Sequence, residues 1–276
     1  MKMQMLSYIE RATPIHRMTG AAKLVCFIIW SVIAMTTFDT RILVFMLIAG
    51  IVIFRMANVH LREIAFVLGF ILIFLLLNNL GIYIFAPQQG SSIYGTVHIL
   101  LHLPGSYSLT LEQLFYQLNV TLKYFAVIPF ALLFIVTTHP SEFAASLNRI
   151  GVSYRIAYAV SITLRYIPDV QRSYHEITQA QQARGIDLSK KEKLWRRMRQ
   201  AAAIIIPLVF STLDRIEVIS NAMELRRFGM KKKRTWYDER PFACIDYLAV
   251  AFSMLLLILS LWLSFHRGSR YYNPFN

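Results

Sequence analysis

Gln179-Ala180-Gln181-Gln182-Ala183-Arg184-Gly185 and Asn221-Ala222-Met223-Glu224-Leu225-Arg226-Arg227-Phe228-Gly229 close two stretches of helical character in the same way. Each places an alanine four residues before an arginine, so Ala180 and Arg184, like Ala222 and Arg226, share a helix face. Each then meets a glycine, Gly185 or Gly229, the residue that takes the left-handed conformation of a helix stop with least strain. Each also has Ile-Pro upstream, at Ile167-Pro168 and Ile206-Pro207. One arginine of this kind reads as a basic cap favoured by the helix dipole. Two with the same neighbours read as a pair of arms, each carrying one arginine.

Composition says what the arms belong to. Of 276 residues 56% are hydrophobic and 16% charged, yet the formal charge is +14. Those facts coexist only where charge and apolarity are segregated. Residues 139–240 hold 19 of the 29 Lys and Arg and 10 of the 15 Asp and Glu. The fold class this predicts is an all-α integral membrane protein, with about five transmembrane helices and a cytoplasmic coupling region of amphipathic helices. Residues 1–138 form the N-terminal transmembrane region of about four spans. Residues 139–240 form the cytoplasmic or interfacial region with both arginine motifs, and 241–276 a last span and tail. The basic excess flanks apolar runs, which points to positive-inside topology and anionic headgroups, and away from nucleic acid. Cys26 and Cys244 lie in or beside apolar runs, so neither a disulfide framework nor a metal cluster is expected.

Taken in order, an uncleaved first span covers about Ala21–Phe38 and turns through Asp39-Thr40-Arg41 into a second, about Ile42–Met56. A third, about Ile64–Ala86, contains Asn78 and Asn79; interhelical packing is favoured for them over a substrate role. Gln88 to Asn119 has no Lys or Arg, as expected of an external loop, and its aliphatic patch His98–Leu103 reads as a short interfacial helix. His98 and His102 have the i,i+4 spacing of a metal pair but no third ligand, so chance is the better reading. A fourth span runs from about Asn119 to Thr138, with Lys123 near its outer end able to snorkel. Beyond it Arg149, Arg155, Arg165 and Arg172 punctuate apolar stretches too short to span, the pattern of amphipathic helices at the inner membrane face. The basic clusters Lys190–Arg199 and Lys231–Arg234 read as headgroup anchors. Ala201–Phe210 either dips into the bilayer or packs beneath the other helices. A last span is expected at about Ala243–Phe265; if residues 201–210 do not cross, the five spans put the N-terminus inside and the C-terminus outside.

No phosphate-cradling Gly-x-x-x-x-Gly-Lys-Ser/Thr, no Gly-x-Ser-x-Gly and no zinc-spaced cysteine pairs occur, so the chain is not expected to hydrolyse ATP itself. The spans contain almost no ionisable residues, which disfavours the alternative of a stand-alone permease or channel. The lack of acidic metal-binding clusters disfavours a membrane-embedded lipid or isoprenoid enzyme.

The same residues carry a resemblance. Ser7-Tyr8-Ile9-Glu10 to Pro14-Ile15-His16-Arg17, Ala22-Lys23-Leu24, Thr137-Thr138-His139-Pro140, Leu147-Asn148-Arg149-Ile150-Gly151-Val152 and Leu164-Arg165-Tyr166-Ile167-Pro168 resemble the transmembrane T component of energy-coupling factor (ECF) transporters, the EcfT/CbiQ family. Ala180-Gln181-Gln182-Ala183-Arg184-Gly185 closely matches the first Ala-Arg-Gly signature of that family. Ala222-Met223-Glu224-Leu225-Arg226-Arg227-Phe228-Gly229 matches the second, with Leu225-Arg226-Arg227 in place of small-Arg-Gly. The resemblance implies a non-catalytic scaffold in a prokaryotic cell membrane, joining two ABC-type ATPase subunits to a separate substrate-binding S component for a vitamin or transition-metal ion. It implies that Ala183, Arg184, Gly185, Leu225, Arg226 and Arg227 contact the ATPases, supported by Arg165, Pro168, Ala180, Ala222, Glu224 and Gly229. No metal or cofactor is then bound directly; ATP and magnesium belong to the ATPases.

Overall fold

The computed structural model describes residues 13–59, 61–102, 108–185, 194–230, 235–236, 240–266 and 271–275. In chain order these form α1 (Pro14–Arg17), α2 (Gly20–Thr36), α3 (Thr40–Met56), α4 (Leu61–Phe85), α5 (Gln89–Tyr94), β1 (Ile99–His102), β2 (Ser108–Thr110), α6 (Leu111–Thr137), α7 (Pro140–Arg149), α8 (Tyr154–Ala183), α9 (Leu194–Leu225) and α10 (Cys244–His266). They divide into two compact units, Met1–His139 with Arg240–Asn276, and Pro140–Glu239. The fold is all-α but for one antiparallel β1–β2 pair among the described residues.

The first unit is the membrane body. Ala65–Phe85, Leu111–Thr137 and Cys244–Ser264 are long and apolar enough to cross a bilayer. The 17-residue helices α2 and α3 lie at the short end of the spanning range. Asp246, fully buried, fixes the start of two helices at once: Oδ1 accepts from Thr19 N at 2.9 Å and Oδ2 from Ala243 N at 2.9 Å. Lys23 Nζ donates to Thr137 O at 2.9 Å and brings the end of α6 to the same level. Helices α2 and α10 therefore run in parallel, with α6 antiparallel to both. Between them Trp30 stacks on Phe130 at 4.0 Å and donates its indole N–H to Ser253 Oγ at 3.2 Å. A Cβ on Gly50 would sit 3.3 Å from the Phe130 ring and 3.4 Å from Pro129, so α3 meets α6 through its smallest residue.

Lys123 does not snorkel. It is only 8% exposed; Nζ donates to Met35 O at 3.2 Å and lies 3.1 Å from the Phe38 ring centroid. The last carbonyls of α2 lack helical donors, and an ammonium beside that negative end satisfies one of them. Asn79 joins α4 to α6: its Nδ2 donates to Thr121 Oγ1 at 3.1 Å, and its own carbonyl accepts from Gln117 Nε2 at 3.1 Å. For Asn79 that is the packing role favoured from sequence, whereas Asn78 Oδ1 is buried with no hydrogen-bond partner among the described residues.

The patch expected to be an interfacial helix is strand β1. Fully buried Glu112 accepts from His98 N at 3.0 and 3.1 Å and from Thr96 Oγ1 at 3.1 Å, and His98 Nδ1 lies 2.6 Å from its Oε1. Leu111 N takes the His98 carbonyl at 3.0 Å, the acceptor a helix would have needed. The His98 ring is thus engaged with Glu112, and among the described residues no group of three His, Cys, Asp or Glu could hold a metal. Helix α6 also begins eight residues before the expected Asn119. Thr110 caps it, and its first turns bury polar residues that have specific partners. Gln113 accepts from Gly90 N at 2.8 Å, and Asn119 accepts from Thr40 Oγ1 at 2.7 Å.

The C-terminal tail packs at the α2–α3 turn, the end of this unit away from Thr19 and Asp246. Tyr271 lies 4.6 Å from the Phe38 ring, Arg41 donates to Tyr272 Oη at 2.8 Å, and Asn273 donates to Tyr94 O at 3.2 Å. Burial pushes the Tyr94 phenol up to about 12, so the ring stays neutral under Phe275, 5.9 Å away.

The second unit is a short helix, α7, followed by the two longest helices of the chain. Helices α8 and α9 form an antiparallel hairpin: Gln181 meets Ala203, Asp169 meets Arg215 and Arg155 meets Gly229. Ala201–Phe210, left open from sequence, lies inside α9 with Ile204 buried and Ile205, Ile206, Val209 and Phe210 exposed.

Candidate coupling site

Both arginine motifs are helix C-termini, built on the same hydrogen-bond pattern. At the end of α8, Arg184 N reaches Ala180 O at 3.3 Å and Gly185 N reaches Gln182 O at 3.0 Å, with Gly185 at φ +85°. At the end of α9, Arg226 N reaches Ala222 O at 3.2 Å, Arg227 N reaches Glu224 O at 2.8 Å, and Phe228 N reaches Met223 O at 3.0 Å. The last two are the paired bonds of a Schellman turn. Arg184 and Arg226 occupy the same position, the last half-helical residue before the left-handed one.

The stop residue of the second end differs from the sequence reading. Arg227, at φ +52°, takes the left-handed conformation that Gly185 takes in the first. Gly229 is a second left-handed residue two positions later, at φ +86°, and its carbonyl accepts from Arg155 Nη2 at 3.0 Å. The helix stops at Leu225 because its last carbonyls find donors in the turn, and the backbone tolerates a non-glycine residue there at some strain.

A set of aromatic rings holds the second end in place. Phe228 lies 4.5 Å from Tyr158 and 5.7 Å from Tyr154, and Trp236 lies 5.4 Å from Tyr154. Trp236 donates to Asn148 Oδ1 at 3.2 Å, and Asn148 Nδ2 closes the α7–α8 turn on Val152 O at 2.9 Å. Sequence reasoning did not single out Tyr154, Tyr158 or Trp236, and it named Arg155 only as one of the arginines that punctuate amphipathic helices. The i,i+4 pair Tyr154 and Tyr158 at the start of an amphipathic helix was the available signal.

The two tips are not brought together. Phe228 packs on Tyr158 near the start of α8, whereas Arg184 follows its end, so the tips are separated by roughly 40 Å of helix at 1.5 Å per residue. Both are open surfaces: Ala180, Ala183, Arg184, Ala222, Glu224, Arg226 and Arg227 are exposed, and Leu225 is 87% exposed. Arg165 and Pro168 are exposed on the middle of α8. Between the tips the hairpin carries an apolar groove of about 520 Å³ whose lining includes Ile162, Tyr166, Ile167, Val170, Ile216 and Met223. Asp169 and Arg215, 3.7 Å apart and each about 40% exposed, cross it weakly. Lys190–Lys193 and Lys231–Arg234, together with Ser7–Glu10 of the N-terminal motif, lie outside the described residues. An exposed guanidinium with five fixed donors, backed by small residues, suits docking into a pocket of carboxylates or carbonyls.

Among the described residues, an apolar body with five helices of 17 residues or more and a long helical hairpin with an arginine at each tip define a polytopic α-helical membrane protein with a built-in pair of arms. Residues 11–237 match the family described as cobalt transport protein, CbiQ, and the chain belongs to that family. It is similar to the energy-coupling factor transporter transmembrane protein EcfT of Exiguobacterium sibiricum, at 30% identity over 57% of this chain and 61% of that one. It is similar to the protein of the same description from Limosilactobacillus fermentum at 31% over 38% and 39%. With that of Streptococcus thermophilus the identity is 24% over 93% of this chain and 96% of the relative. The chain spans less than two thirds of the first two relatives and nearly all of the third. Membership in a transporter family accords with the membrane body.

Proposed function

We propose that this chain is the transmembrane scaffold, or T component, of an ECF-type ABC importer. In this reading two separate ATPase subunits dock on its two arms, Arg184 with Ala183 and Gly185 on one, Arg226 with Leu225 and Arg227 on the other. A separate membrane-embedded S component supplies the substrate site, for a vitamin or a transition-metal ion. ATP and magnesium are held by the ATPases, and the chain itself is non-catalytic and binds no cofactor. It sits in the cell membrane of a prokaryote, in contact with lipid and not with nucleic acid, with residues 139–240 on the cytoplasmic side.

The observation that carries the reading is the pair of like-built arginine ends at opposite ends of one hairpin. A single anion site would need the arginines side by side; two docking partners need them apart. Arg165, Pro168, Ala180, Ala222, Glu224 and Gly229 support the two ends from within α8, α9 and the turn after it. The double variant Arg184→Glu plus Arg226→Glu is expected to stay in the membrane and lose co-purification with the ATPases. Undiminished complex and uptake in that variant would overturn the proposal. Proteoliposomes holding only this chain are expected to transport nothing, which separates the scaffold from a stand-alone permease.

A further inference from the structure

Pro207 lies in the interior of α9 and has no N–H, so the carbonyl of Ala203, four residues earlier, loses its helical donor. A carbonyl in that position is costly unless some other donor reaches it. The donor is a side chain of the other arm: Gln181 Nε2 lies 3.2 Å from Ala203 O, and the bond is partly buried. Gln181 belongs to the first arginine motif. Its own carbonyl accepts from Arg184 N at 3.1 Å, so one residue is bonded both to the tip of α8 and to the proline break of α9.

We infer that Gln181 is a positioning residue that ties the Arg184 tip to the helical defect at Pro207. A displacement imposed on that tip is then delivered to α9 at its most deformable point, where the ladder already lacks one bond. The inference rests on the reading of the Arg184 end as a docking point. The chemistry favours an uncharged amide. It offers a directional donor to a carbonyl without placing a charge beside Ala201–Phe210, and its length spans the gap between two packed helices. The apolar groove farther along the hairpin can slide at small cost, and the exposed Asp169–Arg215 pair is weak. A hydrogen bond to one particular carbonyl fixes register as those contacts do not.

The test is a double-mutant cycle that uses the proline itself. Pro207→Ala restores an N–H to the ladder, supplies Ala203 O from within α9 and makes Gln181 dispensable. In the complete complex, Gln181→Leu is expected to leave co-purification with the ATPases intact and to lower uptake per ATP hydrolysed about tenfold. Adding Pro207→Ala to the same chain is expected to return that ratio to within about twofold of the parent. Unfolding midpoints of the purified full chain are expected to follow the same pattern, with a loss from Gln181→Leu that vanishes in the Pro207→Ala background. Equal losses in both backgrounds, or none in either, overturn the inference. Gln181→Met keeps the side-chain length and removes the donor, and replaces the leucine variant should that fail to assemble. The midpoints require no partner. They therefore decide the Gln181 link even if Arg184→Glu plus Arg226→Glu retains the ATPases, a result that would overturn the functional reading alone.

Discussion

At the scale of single residues, the two arms differ most in the residue after each arginine. Gly185 accepts φ +85° without penalty, whereas Arg227 holds φ +52° with a side chain attached. A left-handed backbone costs a non-glycine residue about 1 kcal/mol or slightly more. Arg227→Gly is therefore expected to stabilise the end of α9 by about 1 kcal/mol, and Gly185→Ala to destabilise the end of α8 by a similar amount. Thermal unfolding of the purified chain checks both. If Arg227→Gly stabilises the chain yet weakens co-purification with the proposed ATPase partners, Arg227 serves contact despite its strain. The arginines were legible in sequence from their spacing. Which residue stops the second helix was not, because the turn is chosen by carbonyl hydrogen bonding and by rings stacked from Tyr154 and Tyr158, both remote in sequence.

Elements are held to one another by a few buried polar groups in an otherwise apolar body. Asp246 is the clearest case, since its two oxygens accept the N–H of Thr19 and of Ala243 and so level the starts of α2 and α10. Asp246→Ala would leave the buried Thr19 N–H unpaired and remove the partner of the partly buried Ala243 N–H, and is expected to cost about 1–3 kcal/mol. Asp246→Asn, which keeps one acceptor, is expected to cost less. Unfolding midpoints in detergent give the order. The same logic explains the elements misjudged from sequence. Hydropathy saw Glu112, Gln113 and Asn119 as loop residues, because a polar side chain looks the same whether it meets water or a partner. Each has a partner within the body, so α6 begins earlier and the patch after His98 is drawn into a strand. Gly90 belongs to that arrangement: a Cβ there would lie 2.5 Å from the Glu112 carbonyl. Gly90→Ala is expected to prevent the packing of α5 on α6 and to lower the unfolding midpoint more than any substitution at the arm tips.

For the whole molecule, the prediction concerns topology. The tail at Tyr271–Phe275 packs beside Phe38, Arg41 and Tyr94, at the opposite end of the membrane body from Thr19 and Asp246. With Cys26→Ala and Cys244→Ser in place, a cysteine at Tyr272 and one at Gly95 are expected to react with an impermeant reagent from outside the cell. A cysteine at Gln182 is expected to react only after permeabilisation. Labelling of all three from one side would refute this arrangement. By itself the sequence determined the class: uncharged runs of spanning length, a basic segment between them, and two arginine-ended motifs that carry the family. These are local signals of composition and period, and such signals survive without knowledge of neighbours. Tertiary structure alone decided that Lys123 turns inward onto the last turn of α2 and that Glu112 organises the loop before α6. It also decided that the two arginine tips lie at opposite ends of one hairpin, with Gln181 supplying the donor Pro207 lacks. Each of those outcomes depends on a polar group finding a partner far away in the chain, and pairing at a distance is set by packing.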